Sequence, residues 1–400
     1  MRQLAYTIAI AFLLAGTAAS AQTWSQRTNL PGGARDAAIS FAIGSTVYTG
    51  AGTSSKDFYG YNVESGTWTR LANIPGVTNE RAFGAGFSIG TKGYVCLGYD
   101  GSTNLKKDLW EYDPVANTWT RKADFPGTAR DGVTCFVVNG KAYVGGGSDN
   151  KVLFADFYEY DPATDTWGAK HDLQSGPAIF QASFVIGQYA YVTTGSIGNL
   201  ETTDLYRYDA SKDSWDYLSE FPGAARQCAV AFALNGKGYV GLGQTGYTSS
   251  FSDFYSYDPA TDTWSPASGL PATKSRAWAT ACVADGRAYI GSGWDLGSNF
   301  YNDWWELNGS PAGIREASRL NGDWSAAPNP AGATLAIHAP RTHGTARATL
   351  IDELGREMIA TEITAGEQGH VLDLSPVPAG MYLLRIDADA GSTFQKIIKQ

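Results

Sequence analysis

Four histidines, four cysteines and three methionines are all that the 400 residues hold of those types. Cys96, Cys135, Cys228 and Cys282 lie far apart, each in an apolar stretch, so no zinc-spaced Cys/His set exists and the thiols read as small buried hydrophobes. Positive charge is also scarce. Thirty Lys and Arg stand against 39 Asp and Glu, a formal charge of -9 with pI near 5.0, so the basic stripe that a nucleic-acid partner requires is lacking. Beyond residue 15 no apolar run approaches the ~18 residues of a membrane helix. Long amphipathic helical patterns, a Gly-x-Ser-x-Gly elbow and a phosphate loop are missing too, which leaves hydrolase and nucleotide readings without support.

What is abundant is glycine and aromatic residues: 47 Gly, 22 Tyr, 17 Phe and 12 Trp. They sit in short runs that end in Gly, Asn-Gly or Asp-Pro, a pattern of strands and tight turns. Met1-Arg2, the apolar run Leu4 to Ala15 and Ala19-Ser20-Ala21 read as a signal peptide over residues 1–21, with the mature chain beginning at Gln22. The length suits one large β domain and a smaller one.

Trp68, Trp119, Trp167, Trp215 and Trp264 recur at intervals of 51, 48, 48 and 49 residues, a period that points to a propeller or similar array. Asp57, Asp108, Asp156, Asp204 and Asp253 each precede one of them by 11 residues. Arg35, Arg81, Arg130, Arg226 and Arg276 each precede a tyrosine by 13, and Ala178 takes the arginine position in the fourth repeat. Each repeat reads as four antiparallel strands: one after the arginine, one through the Tyr-Val-Gly segment, one through Asp-x-Tyr-x-Tyr and one at Thr-Trp. Asn139-Gly140, Asn235-Gly236 and Asp285-Gly286 fit two-residue hairpin turns. These landmarks resemble the kelch family over about Thr23 to Leu307. The glycine pair departs from its pattern at Val192-Thr-Thr-Gly195 and Ile290-Gly-Ser-Gly293, where local differences are expected.

The sixth repeat runs from Arg276 to Leu307 and lacks its closing Trp, whereas Trp24 stands 11 residues before Arg35 as an orphan outer strand. Pairing the two closes a ring with no open edge, so residues 22–307 read as a six-bladed, all-β kelch-type propeller closed by an N-terminal strand. Asn308 to Gly313 begins a linker over 308–323. Residues 324–400 alternate as a small Ig-like β-sandwich. With Asn329-Pro330, Leu354-Gly-Arg356, Pro378-Ala-Gly-Met-Tyr382 and Lys396-Ile-Ile-Lys399, this segment resembles the C-terminal sorting domain of type IX secretion. That resemblance implies passage through the type IX machinery to the outside or the outer cell surface, by way of a signal peptide and the periplasm, with no membrane span in the mature chain.

The five arginines and the variable loops share one rim, and two roles are open for Arg35, Arg81, Arg130, Arg226 and Arg276. They either ring an acidic or hydroxylated ligand with forked donors or brace the blades by pairing with the recurring aspartates; the second is favoured, since a residue repeated in nearly every blade is usually structural. Tyr99 and Trp294, with polar neighbours such as Asp100, Asn104, Lys106, Asp149, Asn150, Asn199, Tyr247 and Asp295, have the composition of a carbohydrate-binding rim. Some kelch relatives are copper radical oxidases, but only His171 falls in the propeller, so a two-histidine site is not available and neither metal nor cofactor is expected. The first functional reading is a secreted or surface propeller that binds an extracellular carbohydrate or protein. The alternative is an enzyme resembling the kelch-type sialic acid mutarotases, for which no acid/base residue can be singled out.

Overall fold

In the third repeat, Thr134–Val138, Lys141–Gly145, Phe157–Asp161 and Thr166–Lys170 hydrogen-bond in that order into one antiparallel sheet. Alternation sends Phe136 and Val138 into the space between this sheet and the next, where they meet Ala190, Val192, Tyr208 and Trp215. Five such four-stranded sheets follow one another along the chain. The sixth consists of Thr280–Ala284, Arg287–Gly291 and Trp304–Asn308, and its outer strand is Thr23–Arg27 from the other end of the propeller, with Trp24 opposite Leu307. The computed structural model describes residues 22–101, 104–198, 200–308, 324–328, 331–339, 344–351, 357–367, 369–388 and 391–399. Residues 1–21, expected from the sequence to be a signal peptide, Asn199, Asn329-Pro330 and Leu354-Gly-Arg356 lie outside them, as does the stretch expected to be a linker apart from Asn308, which ends the strand Trp304–Asn308.

The expected hairpin turns form with both central residues at positive φ, for example Asn139 at 52° and Gly140 at 75°. The irregular glycine positions have a simple account. Thr194 and Ser292 replace the first glycine and hold φ of 59° and 56°, a conformation that Leu97 and Leu242 also take at this position. The second glycine is kept in all six blades. At Gly52, with φ of 90°, a Cβ would lie 2.4 Å from the Asp36 carbonyl oxygen, so no side chain fits.

The closing tryptophans tie blade to blade. Each indole N–H donates to a backbone carbonyl just past the outer strand of the preceding blade: Trp68 to Thr28 at 2.9 Å, Trp119 to Ala72 at 2.9 Å, Trp167 to Ala123 at 2.9 Å, Trp215 to His171 at 3.4 Å and Trp264 to Ser219 at 3.0 Å. Trp24 donates to Ser268 at 2.8 Å and so completes the circle.

The chain divides into two compact units, Met1–Pro311 and Ala312–Gln400. The second has a three-stranded sheet of Ser325–Ala327, Thr334–His338 and Gly369–Asp373, and a four-stranded sheet of Glu357–Ile363, Ala346–Ile351, Gly380–Ala388 and Gly391–Lys399. Leu335, Ile337 and Leu372 of the first meet Leu350, Ile363, Leu384 and Ile397 of the second in one core, which makes the unit a two-sheet sandwich.

Deleting Gln22 to Leu30 removes the outer strand of blade six together with the Trp24 indole bond, and leaves Trp304–Asn308 as an open edge. The shortened protein is expected to melt at lower temperature and to aggregate in light scattering; an unchanged Tm with a monodisperse profile would contradict the closure.

Candidate functional site

Each arginine precedes the inner strand of its blade and turns inward, toward the loop between the second and third strands. Arg276 donates from Nη1 to the Ser292 carbonyl at 3.0 Å, from Nη2 to Asp303 Oδ2 at 3.1 Å and from Nε to the Lys274 carbonyl at 3.0 Å. Arg226 does the same with Leu242 at 3.0 Å, Asp253 at 2.6 Å and Ala224 at 2.9 Å, and Arg81 reaches Leu97 and Asp108, both at 2.6 Å. Arg35 pairs with Asp57 and Arg130 with Asp156. Rings cover three of the guanidinia: Phe154 at 3.8 Å over Arg130, Phe251 at 3.9 Å over Arg226 and Tyr301 at 4.0 Å over Arg276. All five arginines are at most 2% exposed. A ligand-binding ring of Arg35, Arg81, Arg130, Arg226 and Arg276 therefore does not fit this geometry, because their donors are engaged within their own blades. Burial alone would raise the Asp303 carboxyl, but hydrogen bonds and charge from Arg276 outweigh it and hold it below the usual carboxylate range; Asp57 and Asp108 behave alike beside Arg35 and Arg81.

The backbone at the same residues joins neighbouring blades. The N–H groups of Gly52, Gly98, Gly147, Gly195, Gly243 and Gly293 donate to the carbonyls of Arg81, Arg130, Ala178, Arg226, Arg276 and Arg35, at 2.7–2.9 Å. Two residues after each arginine position lies a second cycle: Ala37, Phe83, Gly132, Phe180, Cys228 and Trp278, all with φ between 51° and 63°. Each donates its N–H to the carbonyl of the one before, at 2.9–3.4 Å, and the cycle closes from Ala37 to Trp278. These residues line a depression of about 140 Å³ at the centre of the blades.

Small and aromatic residues alternate around that cycle. Phe83, Phe180 and Trp278 meet edge to face or tilted with centroids 5.6–6.4 Å apart, in the geometry aromatic rings prefer. From Trp278 the aromatic surface continues outward: Trp294 stacks on it at 5.7 Å, Phe300 stacks on Trp294 at 5.8 Å, and Tyr247 lies 6.3 Å from Trp278. Tyr247 is 60% exposed and Phe300 45%.

Carboxylates stand close to the central cycle: Asp36 and Asp131 directly precede its members Ala37 and Gly132, and Glu201 bonds Gln227, which directly precedes Cys228. Asp36 is 6% exposed and its Oδ1 has no hydrogen-bond partner. Glu80 accepts the Ser54 N–H, and Glu201 accepts the Gly246 N–H at 3.0 Å and the Gln227 amide at 3.4 Å. Burial raises the Asp36 carboxyl and pushes that of Asp131 up to about 6. Among the described residues no Lys or Arg pairs with Asp36, Glu80, Asp131 or Glu201, and no group of three or more His, Cys, Asp or Glu is placed to hold a metal ion.

The two rim aromatics named from the sequence are not equivalent. Trp294 joins the aromatic run, with its N–H on the Gly297 carbonyl at 2.9 Å; Tyr99 lies instead near Glu80 and Asp131, where burial first and these charges next raise its hydroxyl. Asp149 and Asp295 serve their own loops, accepting the Lys151 N–H at 2.9 Å and the Gly297 N–H at 2.8 Å, and Asp100 pairs with Lys106. The sequence reading passed over Phe83, Trp278 and Phe300. A signal existed in the position two residues after each arginine, which reads Ala, Phe, Gly, Phe, Cys, Trp through the six repeats.

Three outcomes are expected. Arg276→Ala leaves buried Asp303 with only the longer Lys274 contact at 3.4 Å and should cost about 3 kcal/mol, the low end of the range for breaking one side of a buried pair. Because Asp303, Asp57 and Asp108 have depressed carboxyls, their stabilisation is complete above the unfolded value near pH ~4 and is lost as pH falls through the folded one, so Tm should drop below roughly pH 4 and this drop should shrink in Arg276→Ala. Asp131 has the opposite sign. Its raised carboxyl destabilises the fold above about pH 6, and this penalty shrinks as pH falls from about 6 toward the unfolded value near ~4. Asp131→Asn should therefore raise Tm at pH 7.5, with the gain fading toward pH 5 in a thermal scan; equal gains at both pH values would refute this.

The comparisons with known proteins agree with this architecture. Residues 44–304 match the Attractin/LZTR1 beta-propeller family, and residues 325–400 match the secretion system C-terminal sorting domain. The N-acetylneuraminate epimerase of Pasteurella multocida (strain Pm70) is 33% identical over 147 residues, 35% of this chain and 38% of that protein. That of Escherichia coli (strain K12) is 29% identical over 148 residues, 36% and 39%. The chain thus matches less than two fifths of the length of these relatives. The solved structure titled "Structure of YjhT" superposes with a TM-score of 0.61 at 19% identity, covering 70% of this chain and 96% of that one, a likeness of fold. The chain belongs to the Attractin/LZTR1 family of kelch-type β-propellers and carries a type IX sorting domain, which marks it for secretion or for the cell surface.

Proposed function

We propose that the propeller binds an extracellular glycan, without covalent chemistry, at the aromatic mouth built by blades five and six. Export starts in this reading from the signal peptide at 1–21 and ends through the type IX machinery. The observation that carries it is the run of rings from the throat to the rim, Trp278, Trp294 and Phe300, with Tyr247 beside them. Such faces cover the C–H surface of a sugar, while Glu201, bonded to the Gly246 N–H next to Tyr247, would take hydroxyls. A depression of about 140 Å³ is well below the ~300 Å³ of a site that engulfs a drug-sized ligand, so one sugar unit enters and the rest of the glycan lies along the rim.

The names of the epimerase relatives favour a second reading, anomer exchange on a sialic acid. Against it stand the arginines, whose donors are taken by their own aspartates, and Asp36, Asp131 and Glu201 beside the depression, which would repel a sugar acid. A glycan array followed by titration calorimetry tests the first reading. Trp294→Ala, Phe300→Ala and Tyr247→Ala should each weaken binding by about tenfold or more, or ~1.4 kcal/mol, with little change in Tm. An array without hits, or affinities untouched by all three substitutions, would contradict it; exchange of sialic acid anomers by NMR above the uncatalysed rate would establish the alternative.

A further inference from the structure

We infer that the unit entering the mouth carries an ammonium group, and that the glycan is one bearing free amino sugars. The inference rests on the glycan reading above and names the class of sugar. Its first ground is an imbalance of charge. The recurring aspartates Asp57, Asp108, Asp156, Asp253 and Asp303 each have an arginine of their own, whereas Asp36, Glu80, Asp131 and Glu201 have no basic partner among the described residues. Three of them adjoin the depression, Asp36 and Asp131 as chain neighbours of Ala37 and Gly132 and Glu201 through Gln227 beside Cys228, and uncompensated carboxylates so placed form a field that concentrates cations.

The second ground is Asp36. A carboxylate at 6% exposure with one oxygen unpartnered is costly unless a cation completes it. Asp36 directly precedes Ala37, and Glu201 accepts the amide of Gln227, which directly precedes Cys228; Ala37 and Cys228 both line the depression, so the two carboxylates approach the same small space from different blades. The third ground is the wall itself. Phe83, Phe180 and Trp278 all line the depression, and ring faces attract an ammonium most strongly where water is excluded. Acetylating the amine removes the charge and adds bulk, and a sugar acid reverses the sign. Both should bind less well.

The test uses the full chain and titration calorimetry with a β-1,4-linked glucosamine tetramer, its fully N-acetylated counterpart and tetralysine, at low and high salt. The free amine form should bind about tenfold or more tighter than the acetylated form, and the difference should shrink with salt. Asp36→Asn and Glu201→Gln should abolish the preference, while Phe300→Ala should weaken both oligomers alike. Since Asp36 is buried, Tm is measured for each variant, and Asp131→Asn, at a more accessible position, serves as an independent second probe. Equal affinity for the two oligomers would overturn the amino-sugar assignment and leave glycan binding standing. Tetralysine bound as tightly as the glucosamine tetramer would overturn it by showing a face for any polycation. Binding of neither oligomer would overturn this inference, and array hits on other glycans would then show whether the broader reading survives.

Discussion

Everything in the propeller hangs on the junction at the arginine position, where side chain and main chain act in different directions. The guanidinium fastens the inner strand to the second-to-third loop of its own blade, and the carbonyl of the same residue is held by a glycine N–H of the preceding blade. Blade four separates the two contributions. Ala178 has no side chain to offer, yet its carbonyl still accepts the Gly147 N–H at 2.7 Å, and Asp204 is served instead by the hydroxyls of Tyr206 at 3.2 Å and Tyr217 at 3.4 Å. The main-chain contact is thus the indispensable part. It also explains the retained glycine, since only a residue without Cβ can bring its N–H so close to the neighbouring backbone.

The strands, the turns and the completion of the last blade by Trp24 were legible because each depends on a local pattern repeated in phase. The role of the arginines was not settled by that same evidence. Recurrence at a fixed distance from a tyrosine fixes where Arg130 lies along the chain, whereas the direction of its side chain is set by Asp156 and Phe154, which only the folded blade brings near. The mouth was hidden for the complementary reason. Phe83, Phe180 and Trp278 occupy equivalent positions with Ala37, Gly132 and Cys228, so they share no identity, and a search for repeats passes over them. Glu80 and Glu201 stand at inequivalent places in their repeats and give no periodic signal at all.

Division of charge follows from the division of labour. Cations are drawn into the blades, where buried aspartates, carbonyls and rings replace their water. The residues that this bracing does not use are the ones that no repeat requires: aromatic rings and carboxylates that vary from blade to blade.

The strand at Thr23–Arg27 has a further consequence for the order of events during folding. Blades one to five are made of contiguous segments and can form as hairpins while the chain emerges, with short loops to close. Blade six cannot, because its outer strand comes first in the propeller and its partner Trp304–Asn308 comes last. Until that final meeting the growing arc keeps its N-terminal strand unpaired, and the hydrogen-bonded cycles at the centre lack one member each. Closure is then the last and most entropically costly contact, and it converts a row of blades joined only to their neighbours into a single cooperative body.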